Sequence, residues 1–141
     1  MSSIHLKKME DKLSVVDVLY RFAAGIDLRD RVLLAATFTE DAISDFRQGR
    51  ETIVSVLSDS LQPFDTTHTV TNPRVCIDGD KAYLEAIVEA QHLPRDDHSR
   101  HYLMKNRYDV ELVRHGEAWL IQRATIDNVW RDGNPAVLSG V

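Results

Sequence analysis

Apolar residues recur at helical spacing in the first part of the chain and alternate with polar residues in the second part. From Leu13 to Ile26 they recur every three or four positions with charged residues between them, which predicts an amphipathic helix early in the chain. A second, short helix is predicted over residues 31–38, introduced by Asp30, a favourable N-cap residue. A third helix is predicted over residues 49–61, because helical spacing returns there and Pro63 ends it.

Alternating residues predict one short strand followed by four long ones. The short strand, residues 41–46, lies between the second and third helices. The most regular alternation runs from Ala82 to His92, where small apolar residues and His92 share one face and acidic and polar residues dominate the other. Gly79 and Gly116 mark hairpin turns, since glycine tolerates the positive φ that such turns require. The four long strands are predicted at residues 66–77, 82–92, 100–114 and 119–130.

This order of elements is expected of an α+β fold in which three N-terminal helices pack on one face of a mostly antiparallel sheet. Strands of about 11 to 15 residues would span about 35 to 50 Å if they were straight, which is longer than a domain of this size accommodates. The sheet is therefore predicted to be strongly curved, with bulges near Pro73 or within residues 100–105. Residues 1–141 are interpreted as a single domain.

Composition and charge argue against several functional classes. The 17 Lys and Arg residues are outnumbered by 22 Asp and Glu residues, and the formal net charge of −5 argues against a nucleic-acid partner. The sequence has no apolar run of about 18 residues for a membrane span and no apolar signal core at its start, so a cytoplasmic protein is expected. Cys76 is the single cysteine, which excludes an intrachain disulfide. We expect neither a metal site nor a membrane partner.

Three ionisable residues, Asp27, His68 and His92, fall on faces where the pattern expects apolar side chains. Helical periodicity places Asp27, four residues after Ala23 and seven after Tyr20, on the stripe that faces the sheet. The two histidines belong to strands that are expected to be neighbours, and a buried imidazole needs a hydrogen-bonding partner. Alternatively, Asp27 lies exposed past the helix end and caps the next helix, and each histidine is an ordinary core residue.

A contact between Asp27 and His68 would form a general base. The carboxylate would fix the tautomer of the ring, increase the basicity of the other ring nitrogen and stabilise the imidazolium that forms on proton transfer. Proton transfer of this kind contributes about 10²- to 10⁴-fold to a rate. It needs no cofactor, and we expect none.

Several short motifs follow one another along nearly the whole chain. They are Asp27, Thr67–Asn72, Asp78–Ala82, Arg107–Leu112 and Gly116–Ile121. In this order and spacing they resemble the SnoaL-like branch of the nuclear-transport-factor-2-like superfamily. The resemblance implies a cone-shaped α+β barrel, in which helices close one end of a deep pocket.

Within this branch the chain resembles the scytalone dehydratases and the hexachlorocyclohexane dehydrochlorinases, which are cofactor-free lyases with an Asp–His pair. The resemblance implies that Asp27 and His68 form this pair and that His92 is the second histidine of the dehydratases. Two positions depart from the dehydratase pattern, because Ile26 and Phe46 occupy the places of tyrosines, and the substrate is therefore expected to differ. The candidate substrate-binding residues are Tyr20, Phe46, Asn72, Tyr102, Asn106, Tyr108 and Arg123.

Two functions follow from these observations. The first is a lyase or isomerase that acts on a small, mostly apolar cyclic molecule through the Asp–His base. The alternative is a non-catalytic small-molecule-binding module, or a structural subunit of a larger enzyme such as a ring-hydroxylating dioxygenase. A homodimer or higher homo-oligomer is expected, because apolar residues lie on the outer face of the predicted sheet: Tyr83, Ile87, Leu103 and Val113.

Overall fold

A computed structural model describes residues 2–138 of the chain as three helices and one sheet. The helices are α1 (Ser3–Asp27), α2 (Arg31–Ala35) and α3 (Arg50–Ser60), and the strands are β1 (Phe38–Ser44), β2 (Arg47–Gln48), β3 (Phe64–Asp78), β4 (Lys81–Pro94), β5 (Tyr102–His115) and β6 (Ala118–Gly133). A short 3₁₀ helix, Pro135–Leu138, follows β6.

The six strands form one curled, unclosed sheet in the order β2-β1-β6-β5-β4-β3. Strand β1 runs parallel to β6, and the other neighbouring strands are antiparallel. The side chain of Asp30 accepts a hydrogen bond from the Leu33 N–H at 3.0 Å, so the predicted N-cap of α2 is confirmed. The predicted α+β class, with three helices on a curved and mostly antiparallel sheet, is also confirmed.

The segment between α2 and β1 differs from the prediction. Helix α2 ends before Phe38, and β1 begins at Phe38 and ends before residue 46. The Thr37 carbonyl accepts a hydrogen bond of 2.8 Å from the Ile121 N–H, and Phe38 lies opposite Ile121 in the sheet. Pairing with β6 therefore begins earlier than local sequence indicates, because long-range hydrogen bonds replace those of a longer helix.

Bulges bend the long strands. The register between β3 and β4 shifts across Pro73, as predicted, where proline has no N–H for the ladder. The register between β5 and β6 shifts at Lys105–Asn106, at the edge of the predicted segment, and again at Glu111–Leu112, which was not predicted. These bends give the sheet a concave face, and the helices pack against it.

The hydrophobic core lies between α1 and the concave face of the sheet. The alternation predicted from Ala82 to His92 is confirmed, because its small apolar face is buried throughout β4. The apolar stripe predicted from Leu13 to Ile26 combined a core-facing and a solvent-facing side of α1, since Leu13 and Tyr20 are 71% and 49% exposed. The residues of α1 that enter the core are Val15, Val18, Leu19, Phe22, Ala23 and Ile26. None of the helices within residues 2–138 is long and apolar enough to span a bilayer.

Candidate functional site

Asp27 is the last residue of α1, and close packing of α1 on α2 determines where this helix ends. A Cβ atom at Gly25 would lie 2.9 Å from the Cα atom of Leu34, so glycine is required at this crossing. Arg29 then adopts a positive φ of 56°, which turns the chain into α2. As a result, the Asp27 carboxylate faces the first residues of β3.

The Asp27 carboxylate contacts His68 through both the side chain and the backbone. Its Oδ1 atom lies 2.7 Å from Nδ1 of His68, and its Oδ2 atom accepts a hydrogen bond of 2.7 Å from the His68 N–H. The Thr66 hydroxyl donates a further hydrogen bond of 3.0 Å to Oδ1. The side chains of His68 and Asp27 are 6% and 22% exposed, so Asp27 does not occupy the exposed capping position that was the alternative.

These hydrogen bonds keep the carboxylate of Asp27 ionised. Burial alone would raise the pKa of Asp27, but the hydrogen bonds from the His68 ring, from the His68 backbone and from Thr66 outweigh burial and hold this pKa below its ordinary value. The carboxylate is therefore ionised near neutral pH and accepts a hydrogen bond from the Nδ1–H of His68. We assign the neutral His68 tautomer accordingly, with the lone pair on Nε2.

His92 is the second buried histidine near the pair. Its ring centroid lies 6.4 Å from that of His68, and its Nδ1 atom lies 2.9 Å from the carbonyl oxygen of Tyr102. Burial lowers the pKa of His92 and outweighs the opposing effect of the Tyr102 carbonyl, with nearby His68 adding to the decrease. Neutral His92 thus donates through Nδ1–H and presents a lone pair at Nε2, which suits accepting a hydrogen bond.

Three of the predicted binding residues lie on the inner face of β5, in the same phase. Tyr102, Asn106 and Tyr108 are each 4% exposed. Asn106 Oδ1 accepts a hydrogen bond of 3.0 Å from Asn128, and the Tyr108 ring packs edge-on against Phe22 at 6.1 Å between centroids. Burial raises the pKa of the Tyr108 hydroxyl, which therefore keeps its proton. This wall is neutral and contains hydroxyl and amide groups.

Two predicted binding residues, Tyr20 and Phe46, lie outside this region, on the surface. Tyr20 is 49% exposed, because it lies on the face of α1 opposite the core-facing Val18 and Phe22. Phe46 is 83% exposed in the tight turn between β1 and β2, where the Arg47 guanidinium lies 4.8 Å from its ring centroid. Neither side chain faces the Asp27–His68 pair.

Asn72 and Arg123, two further predicted binding residues, also lie on the surface, and both lie at or just beyond a bulge. Asn72 sits at the bulge before Pro73 with a positive φ of 52° and is exposed. Arg123 follows the bulge at Glu111–Leu112, which changes the phase of β6, and its guanidinium lies 3.5 Å from Glu111 on the outer surface. Single-residue insertions of this kind move every later side chain to the other face of a strand.

The sequence analysis missed two residues at the site, Thr66 and Arg29. Thr66 lies two positions before His68 and therefore shares its strand face, so strand alternation could have identified it. Arg29 donates hydrogen bonds to the carbonyl oxygens of Ile26 and Leu61 at 2.6 and 2.7 Å, to that of Phe64, and to the Thr66 hydroxyl at 3.2 Å. Its side chain turns inward because of the unusual backbone conformation, which no sequence pattern indicated.

The fold and the site define a class of protein: a cone-like α+β domain in which a partly buried Asp–His pair joins the first helix to the edge of a curled sheet. Residues 7–125 match the SnoaL-like domain family. The chain belongs to this family, as its motifs had suggested.

Known relatives and solved structures agree with this assignment. The terrestric acid biosynthesis cluster protein E of Penicillium crustosum is 31% identical over 140 residues, which cover 92% of this chain and 90% of that protein. A candidate scytalone dehydratase from Novosphingobium aromaticivorans superimposes with a TM-score of 0.81 at 19% identity, covering 95% of this chain and 92% of that chain. A hexachlorocyclohexane dehydrochlorinase, LinA type 2, also gives 0.81 at 19% identity, covering 97% and 95%. At 19% identity, the likeness to these two structures shows that this chain shares their fold.

Proposed function

We propose that this protein is a cofactor-independent lyase or isomerase in which His68, oriented by Asp27, acts as a general base. The observation that carries the proposal is the double contact of the Asp27 carboxylate with the ring and the backbone of His68. A partly buried aspartate held in this way leaves Nε2 of His68 as the basic atom. The neutral residues nearby favour a compact, mostly apolar cyclic substrate that carries a carbonyl or hydroxyl group.

In the proposed reaction, Nε2 of His68 removes a proton from the carbon next to a substrate carbonyl or a leaving group. The electron pair of the broken C–H bond forms a new double bond, either as an enolate or with departure of the leaving group. The ionised Asp27 stabilises the imidazolium that results. In a dehydration, this imidazolium returns its proton to the departing hydroxide; in an isomerisation, it returns the proton to another carbon.

The other buried groups have complementary roles in this proposal. A protonated tyrosine hydroxyl, from Tyr102 or Tyr108, or the amide of Asn106 would donate to the developing enolate oxygen. Neutral His92 would accept a hydrogen bond from a substrate hydroxyl at Nε2, rather than act as the acid. The relative from a biosynthetic gene cluster supports a small organic molecule as the substrate class.

The test is a His68→Gln variant that is screened against pools of cyclic ketones, phenols and hydroxylated ring compounds. Loss of water or another leaving group, or conversion of the substrate to an isomer, is followed by chromatography with mass spectrometry. Proton abstraction is followed by deuterium incorporation from D₂O. We expect turnover to fall by about 10²- to 10⁴-fold in this variant. His98→Gln is the matched control, because the His98 side chain is 57% exposed and hydrogen-bonds Asp65 on the surface. Full turnover by the His68→Gln variant would remove the base assignment.

A ligand-binding module remains the second candidate. The neutral inner wall of β5, with two tyrosines and an asparagine, suits a hydroxylated ligand whether or not it reacts. A thermal-shift screen with the same compounds distinguishes the two functions. Repeated binding without product formation or deuterium incorporation would favour the binding module, or a structural subunit of a larger enzyme, over the lyase.

A further inference from the structure

We propose that Arg29 is a positioning residue that orients the Asp27–His68 pair through the hydroxyl of Thr66. The inference deepens the proposed function and rests on it for its catalytic meaning. Its structural part can be measured without a substrate. The guanidinium of Arg29 does not bond to the carboxylate itself, since each oxygen atom to which it donates is neutral.

Arg29 joins two segments of the chain that must meet for the pair to form. It bonds to the Ile26 carbonyl at the end of α1, and to the carbonyls of Leu61 and Phe64 just before and at the start of β3. Asp27 lies on the first of these segments, and His68 lies on the second. The planar guanidinium therefore fixes the separation across which the carboxylate reaches the imidazole.

The Thr66 hydroxyl links Arg29 to Asp27 by two hydrogen bonds that run in one direction. The Thr66 hydroxyl has one proton, and Arg29 can only donate. Because NH1 of Arg29 donates to the Thr66 oxygen at 3.2 Å, the hydroxyl proton is free to point to Oδ1 of Asp27 at 3.0 Å. The same Oδ1 atom accepts from Nδ1 of His68 at 2.7 Å. Arg29 thus leaves the Thr66 proton available to Asp27, and the carboxylate, which can only accept, is held where it also receives the Nδ1–H of His68 and leaves the lone pair on Nε2.

The conformation of Arg29 has costs that packing alone would not require. Arg29 has a positive φ of 56°, which is uncommon for a residue with a side chain. Its Nε atom is buried and has no hydrogen-bond partner within residues 2–138. Strain of this kind is often retained at functional sites. Here it brings the guanidinium under the end of α1.

The test is NMR of the full-length chain with ¹⁵N-labelled histidine. In the wild type we expect a single His68 tautomer with a slowly exchanging, downfield Nδ1–H proton. Arg29→Lys keeps the charge but loses the planar fork, and Thr66→Val keeps the shape but loses the hydroxyl. Both variants are expected to show mixed tautomers, whereas Thr66→Ser restores the single one. Arg31→Lys is the matched control, because Arg31 bonds to Asp59 and Ser55 on the surface.

Kinetics provide the second readout once a substrate is known. Misorientation of the base is expected to lower kcat by about 10- to 100-fold in Arg29→Lys and Thr66→Val, with KM changing far less. A folded Arg29→Lys variant with one unchanged tautomer would refute the proposal. If that variant does not fold, Thr66→Val decides, since it leaves the three backbone contacts of Arg29 in place. Normal turnover by His68→Gln would refute the proposed function instead, and the tautomer result would stand.

Discussion

The buried carboxylate of Asp11 should make the fold sensitive to acid. Asp11 is 5% exposed in α1, and its two carboxylate oxygens accept hydrogen bonds from Arg114 at 3.1 and 3.0 Å. Trp119 Nε1 also donates to it at 3.4 Å, and the ammonium of Lys7 lies 3.4 Å away. The hydrogen bonds from Arg114, with smaller contributions from Lys7 and Trp119, outweigh burial and lower the pKa of Asp11 to about 2.

The magnitude follows from the linkage between protonation and folding. The ordinary pKa of Asp11 is 3.8 and its folded value is about 2, and this difference corresponds to about 2.4 kcal/mol of unfolding free energy. Because the side chains of Arg114 and Lys7 are 21% and 60% exposed, solvent screening reduces this contribution to about 1–2 kcal/mol. Since the folded pKa lies below the unfolded one, the stabilisation is complete above pH 4 and is lost as the pH falls through about 2.

The assay is urea denaturation of Asp11→Asn and the wild type at pH 7, 4 and 2.5. We expect the variant to lose about 1–2 kcal/mol of unfolding free energy at pH 7, and the difference to shrink to about a third of that at pH 2.5. Asp17→Asn is the control, because its ion pair with Arg21 is exposed and is worth about 0.5 kcal/mol or less. A difference that is equal at all three pH values, or no larger than that of the control, would refute the reasoning.

Two further predictions concern His92 and self-association. Burial lowers the pKa of His92, so the folded state favours the neutral ring and loses stability as the pH falls below the unfolded pKa of about 6.5. In His92→Gln, the unfolding free energy should therefore decline less between pH 7 and 5 than in the wild type. An identical slope in the two proteins would contradict this. We also propose a homodimer through the outer sheet face, where Tyr83 is 42% exposed. Sedimentation should show that Tyr83→Glu weakens the dimer and that Leu13→Glu on α1 does not. The reverse result would assign the dimer contact to the helix.

Local patterns predicted the parts of the site that regular structure controls. Two-residue alternation placed His92 on the buried face of β4, because this strand is long and pairs with β5 without a register shift. Asp27 was placed correctly by its spacing from Ala23, which enters the core, although its spacing from Tyr20 was misleading. The helix has a broad apolar surface, so the pattern could not show which stripe faces the sheet.

Three of the predicted binding residues lie where the regular repeat is interrupted. Phe46 lies in a turn, Asn72 lies at a bulge, and Arg123 lies just beyond another bulge, where the phase of the strand changes. Bulge positions depend on pairing between distant strands, and local sequence specifies them only where a residue such as Pro73 interrupts the ladder.

The contacts that orient the pair depend on a different level of structure. Arg29 reaches residues that follow it by more than thirty positions, and its inward direction depends on one positive φ angle. Its role therefore arises from tertiary structure, while the identities of Asp27 and His68 are visible in local patterns. We expect a protein that retained the Asp–His pair but had lost the hydrogen bonds of Arg29 to match the same motifs and to hold its histidine in mixed tautomers. Motifs alone thus identify the chemistry that a chain of this family could perform, whereas in our proposal the hydrogen bonds of Arg29 determine whether the histidine is oriented for it.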